Sequence, residues 1–159
     1  MYHEWRSHPR LKGRFHPQHY DDLQVLVHDG GPRLADKPPE LVWVTVTASD
    51  GDIFRGRVLS QPHGLARVRQ GDEIRFLVPD GGNHPILVSQ KYLDERRDWV
   101  INPCNRCGLS ELFDAPSDLI ERLFPNRSGE EVPEALTSFC PLCGGVQVVI
   151  RKEAAEEMG

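Results

Sequence analysis

The sequence predicts an α+β fold, a mainly antiparallel sheet with short helices, and three observations carry that reading. From Leu41 to Thr47, apolar Val42, Val44 and Val46 alternate with Trp43, Thr45 and Thr47, the two-residue period of a strand. The turn Ser49-Asp50-Gly51-Asp52 follows, and Ile53 to Leu59 then returns as the partner strand of a hairpin. Finally, 14 glycines and 13 prolines in 159 residues leave room for many turns and little long helix.

The remaining elements follow in chain order. Residues 1–22 have neither helical nor strand periodicity and contain His-Pro breaks, so they read as an extended arm tacked down by Trp5, Phe15 and Tyr20. Residues 23–98 read as a small α+β domain. Leu23 to His28 is its first strand, ended by Asp29-Gly30-Gly31-Pro32, and the hairpin follows. Gly71-Asp72 opens another strand through Ile74, Phe76 and Val78, and Ile86 to Val88 adds a short one. Ser89 is a fitting N-cap for one or two helical turns over Gln90 to Arg96. In residues 99–150, Trp99-Val100-Ile101 and Val146 to Ile150 are strands. Between them Leu119, Ile120, Leu123 and Phe124 fall on one side of a short helix that Asp114 or Ser117 can cap, that Pro116 suits as a first turn and that Pro125 stops. Residues 128–131 read as a mobile tip and 151–159 as an exposed tail.

All four cysteines fall in two Cys-x-x-Cys pairs, Cys104-Asn-Arg-Cys107-Gly108 and Cys140-Pro-Leu-Cys143-Gly144-Gly145. Each pair bends the backbone so that two sulfurs face one centre about 2.3 Å away, and two pairs complete a tetrahedron around a metal ion. Glycine after the second cysteine of each pair allows a positive φ there. Strand, knuckle and strand make residues 99–150 a zinc-ribbon-like, four-cysteine metal-binding lobe, with Cys104, Cys107, Cys140 and Cys143 as ligands of a structural Zn2+. Paired thiols also fit a reducing compartment better than a secreted disulfide framework.

Composition sets the outer bounds. Hydrophobic content of 38% and charged content of 27% are those of a globular chain. No apolar run approaches a membrane span and the first residues lack a signal-peptide core, so the sequence reads as soluble and cytoplasmic, with no membrane partner. The formal net charge is −5, and four thiolates around a divalent ion would take it to about −7. That balance disfavours nucleic acid, whose affinity comes from basic side chains on phosphates. Charge is uneven, with Arg6, Arg10, Lys12 and Arg14 in the arm and an acidic stretch from Glu111 to Glu134.

The other chemistry-bearing groups have plainer readings beside the functional ones. His16, His19, Asp21 and Asp22 make an H-x-x-H-x-D-D cluster, and His28, His63 and His84 lie at strand ends, where catalytic groups often gather. No H-E-x-x-H or G-x-S-x-G accompanies them, so surface or interface histidines are the simpler account. The glycine pairs at 30–31 and 81–82 fit no phosphate-loop pattern and read as turns. Trp43, Phe54 and Trp99 read as core rather than a stacking surface. Arg106, Arg151 and Lys152 read as charge compensation beside a doubly negative centre.

Two resemblances complete the reading. The Cys-x-x-Cys-Gly knuckles resemble those of rubredoxins, which implies a redox-active iron as the alternative metal. Against it, residues 108–139 have no Trp or Tyr for an aromatic core and contain a helix. Trp43-Val44, Phe54-x-Gly56-x-Val58-Leu59-x-x-Pro62, Gly71-Asp72-x-Ile74-x-Phe76 and Asp98-Trp99 resemble a bacterial family of uncharacterised domains, domain of unknown function 2314, over about residues 40–100. That resemblance implies a small α+β domain of bacterial origin and supplies no catalytic residue. The sequence therefore favours a non-enzymatic, zinc-stabilised protein-binding or adaptor module, contacting a protein partner through the arm with His16 and His19 and the acidic helix with Asp118 and Glu121. The alternatives are a rubredoxin-like electron-transfer protein and a hydrolase-type enzyme using the His/Asp cluster.

Overall fold

A computed structural model describes residues 4–80, 84–125 and 133–153. The predicted tip at 128–131, the glycine pair at 81–82 and the tail beyond residue 153 lie outside the described residues. The chain divides into two compact units, one of residues 1–29 and 37–88, the other of residues 30–36 and 89–159. The first unit is formally neutral, and the whole formal net charge of −5 falls on the second.

The mainly antiparallel sheet of the first unit closes on itself as a five-stranded barrel. Its strands are β1 (Asp22–Val27), β2 (Glu40–Asp50), β3 (Ile53–Val58), β4 (Glu73–Leu77) and β5 (Ile86–Val88), each antiparallel to the next. An up-and-down meander with an odd number of strands brings its first and last strands together parallel, and β1 meets β5 that way at Leu26 and Ile86. Closure needs curvature, which the register shift between Val46 and Ala48 supplies as a β-bulge. The hairpin turn is tighter than Ser49 to Asp52: β2 runs on to Asp50, and Gly51 turns the chain at φ 62°.

Alternation delivers one face of each strand to the interior. Leu23, Val25, Val27, Val42, Val44, Val46, Phe54, Val58, Ile74 and Phe76 fill the barrel core. Gly56 faces inward too, and its missing side chain admits Val44: a Cβ there would lie 2.4 Å from Val44 Cγ1 and 2.7 Å from the Thr45 carbonyl oxygen.

The arm is more structured than its sequence suggests. Residues Glu4–Ser7 form a 3-10 helix, and Leu11 is fully buried in the barrel core. Asp21 holds this segment down, accepting from the Trp5 indole at 3.0 Å and from the Arg6 guanidinium at 2.8 and 3.0 Å. Phe15 bridges Leu23 on β1, whereas Tyr20 stays 61% exposed. Such short polar turns have no period to betray them, and only the contacts they make reveal their order.

The second unit contains α1 (Gln90–Arg96), β6 (Trp99–Ile101), α2 (Pro116–Leu123), β7 (Ala135–Phe139) and β8 (Val146–Arg151), with the strands in the order β6-β8-β7 and antiparallel. Ser89 caps α1 by accepting from Tyr92 N at 3.0 Å. The start of α2 is capped differently from the sequence expectation. Neither Asp114 nor Ser117 caps it; Ala115 is the N-cap, and Glu95 of α1 accepts from the Ser117 N–H at 2.8 Å and its hydroxyl at 2.7 Å. Asp114 instead accepts from Gly31 N with both oxygens at 3.0 Å. Buried Tyr92 accepts from Leu112 N at 3.0 Å and donates to Glu111, whose carboxylate also takes both bonds from one Arg96 nitrogen, at 2.8 and 3.0 Å.

Candidate metal centre

β6 enters the first cysteine pair, β7 enters the second and β8 leaves it. In each knuckle the first cysteine accepts a turn-closing bond through its carbonyl, from Gly108 N to Cys104 and from Gly144 N to Cys140, both at 3.0 Å. These glycines take φ values of 82° and 77°, the left-handed conformation that their position after the second cysteine implied.

Two residues that looked incidental in the sequence join the knuckles. Asn105 donates its backbone N–H to the Val146 carbonyl at 3.1 Å and accepts from Val146 N through its side chain at 2.8 Å, continuing the ladder of β8 into the first knuckle. Gly145 permits the close approach, since a Cβ there would lie 2.6 Å from Cys104 Sγ and 2.8 Å from Asn105 Oδ1. Fully buried Gln147 donates to the Leu109 and Glu111 carbonyls at 2.9 and 3.0 Å, pinning the chain just after the first knuckle. Its signal in the sequence was a lone amide in the otherwise apolar run Val-Gln-Val-Val-Ile.

All four sulfurs lie within 4.8 Å of one another, with Cys104 and Cys143 at 3.4 Å and Cys107 and Cys140 at 3.5 Å. Metal–sulfur bonds of about 2.3 Å in a tetrahedron separate the sulfurs by about 3.8 Å, so the cluster matches the size of such a shell. None of the four is in a disulfide. Cys104 and Cys140 are buried beside Leu109 and Leu142, whereas Cys107 and Cys143 are exposed. The four cysteines are thus positioned to bind a metal ion, the donor set being all thiolate and closed.

The thiols do not ionise alike. Burial opposes a charge on Cys104, yet the backbone groups of Cys107 and Arg106 outweigh it and bring the pKa down to about 6. Burial dominates at Cys140 and pushes its thiol up to about 12. The Cys104 sulfur is therefore ready to carry charge before a cation arrives, whereas Cys140 loses its proton to the cation itself.

The other candidates disperse. Among the described residues, the four cysteines are the only group of three or more His, Cys, Asp or Glu side chains within ligand distance. His16 and His19 do meet, with ring centroids 4.8 Å apart and Trp43 at 5.2 Å from His16, but His16 Nδ1 is occupied by the backbone N–H groups of Gln18 and His19. His63 and His84 are exposed. Trp43 is half-buried on the outside of the barrel, unlike Phe54, which is core, and Trp99, which is buried. Asp118 pairs with Lys91 at 2.6 Å while Glu121 is exposed. Arg151 pairs with Glu153 at 3.1 Å. An open cleft of about 390 Å³ is lined by Asp98, Trp99, Arg151, Lys152 and Glu153.

His28 is buried, with its Nε2–H donating to the Leu87 carbonyl at 2.9 Å. Burial holds its pKa down at about 4, from 6.5. The folded state resists a proton that the unfolded chain accepts, so stability present above pH 6.5 drains away as pH falls toward 4. At 1.36 kcal/mol per unit this group alone removes about 3 kcal/mol over that interval. A histidine NMR titration should find His28 neutral at pH 5.5; an ordinary midpoint near 6.5 would refute the assignment.

No family model, curated protein or solved structure matches this chain. Among the described residues no helix is long and apolar enough to cross a membrane.

Proposed function

We propose that the four cysteines hold a structural Zn2+ and that the protein is a non-enzymatic binding module with a protein partner, acting in the cytoplasm without nucleic acid. The observation that carries this reading is the closed shell: Cys104, Cys107, Cys140 and Cys143 within 4.8 Å of one another supply every ligand that a tetrahedral ion takes. A shell of that kind leaves no coordination position for water or substrate, so its use is to fix the two knuckles. Zinc suits the site because the ion has no redox chemistry to protect and four thiolates meet its preference. Membership of residues 40–100 in the uncharacterised bacterial family they resemble, domain of unknown function 2314, is part of the same proposal.

Elemental analysis of the purified protein tests it. One zinc per chain in a colourless sample is the expected result. A red sample with iron would replace this reading with electron transfer, and a metal-free sample with intact fold would remove the centre altogether.

A further inference from the structure

The β6-β8-β7 sheet has two apolar faces. One carries Leu136, Val149 and Gln147 and is buried. Register puts Val100, Ile150 and Ala135 in one row of the opposite face, Val148 beside Thr137 in the next, and Val146 beside Phe139 in the last. That face carries no charge, yet Val100, Val146 and Val148 are each 36% exposed and Phe139 is 43% exposed. Four large apolar side chains gathered on one small sheet are not the scattered exposure of an ordinary surface.

We propose that a second copy of this chain docks on that face, sheet against sheet, as a transient two-fold dimer. The inference rests on the reading of the protein as a zinc-stabilised protein-binding module and names its partner. Two apolar sheet faces interdigitate at about 10 Å in β-sandwiches, which is the packing this surface lacks. A two-fold contact must also be self-complementary. A chargeless centre satisfies that, and so does a rim of both signs: Asp98 and Lys152 flank the face and form no ion pair among the described residues, and the Arg33 guanidinium lies 4.5 Å from the Phe139 ring centre. A strongly acidic or basic partner would call for a rim of one sign. Strands of three, five and six residues, spaced about 4.8 Å apart with a rise of about 3.4 Å per residue, give a footprint of about 230 Å² per copy, far below the roughly 800 Å² of a stable interface, so the dimer is short-lived.

Sedimentation velocity of the metal-loaded full chain, from about 10 µM to about 1 mM, covers dissociation constants of a weak, transient contact. Average mass should rise with concentration, and added salt should strengthen association by screening the repulsion between two acidic chains. Val148→Glu, at the centre of the face, should weaken association at least about tenfold, because each copy would bury a carboxylate against its partner. Should that variant fail to fold, Val146→Thr keeps the strand propensity and should weaken association by a smaller factor. Zinc content measured on the same samples separates the two readings: a zinc-loaded chain that stays monomeric throughout sinks the dimer and leaves the centre standing. Association that Val148→Glu leaves untouched, that salt abolishes, or that gives way to a foreign protein on this face would equally overturn the second copy.

Discussion

Cys140→Ser, or chelation of the wild-type protein, is expected to release residues 102–109 and 140–147 while the barrel strands keep their protection. The reasoning starts from how little else holds the knuckles. Cys104, Cys140 and Leu109 form their buried cluster, with Leu142 half-buried against it. Three of the four residues in that cluster are cysteines or lie next to one in sequence, so their burial depends on the sulfurs converging. Apparent zinc-binding free energies of order 10–16 kcal/mol in small tetrathiolate-type sites exceed any contribution from two leucines. Serine is nearly the size of cysteine but does not supply a thiolate, so the substitution removes a ligand with little change of volume. Hydrogen exchange read by NMR would show the loss at Cys104 N and Cys140 N, which donate to Leu109 and Gly145 at 2.8 and 2.7 Å. The barrel core draws on its own unit, and amides of β2 and β3 should exchange as before. If the knuckle amides of Cys140→Ser remain protected in the presence of a chelator, the centre is not what orders them.

The metal centre and most of the strands were legible because both obey short-range rules. Cys-x-x-Cys-Gly fixes two sulfurs and a left-handed glycine within five residues, and the Val42-Val44-Val46 alternation fixes which face of β2 turns inward. What escaped depends on partners far away in sequence. Closure of the sheet needs β1 to meet β5 some sixty residues on, and nothing in either strand announces it. The cap of α2 comes from Glu95, 22 residues earlier, through a carboxylate that reads in isolation as one more surface charge of α1. Gly145 carries no role in the sequence beyond following Gly144, yet its lost side chain is what lets Cys104 Sγ approach. Trp43 misled for the opposite reason: an indole in a strand pattern suggests core, but its odd position in the alternation places it outside, where His16 covers one edge.

Gly56→Ala should be the most damaging single methyl that the barrel can receive, and the metal should not compensate for it. Gly56 lies on β3 opposite Val46 on one side and Ile74 on the other, at the centre of the antiparallel run. The added carbon would meet Val44 Cγ1 at 2.4 Å, the Thr45 carbonyl oxygen at 2.7 Å and Phe76 Cε1 at 3.4 Å. A valine methyl can rotate away, but the Thr45 oxygen belongs to the backbone of β2. Relief therefore requires β2 and β3 to separate or slip, and a slip of one residue would turn Phe54 and Val58 out of the core. Overpacking of this kind costs about 3 kcal/mol or more where the colliding atom cannot yield. Gly51→Ala is the informative contrast. Nothing lies within 4 Å of a Cβ there, so only the φ of 62° opposes it, at about 1 kcal/mol. Urea titration followed by tryptophan fluorescence should rank Gly56→Ala well below Gly51→Ala, with zinc content equal in both, because the cysteines belong to the other unit. Equal midpoints for the two variants would mean that β2 and β3 are not packed as closely as the Val44 to Gly56 contact requires.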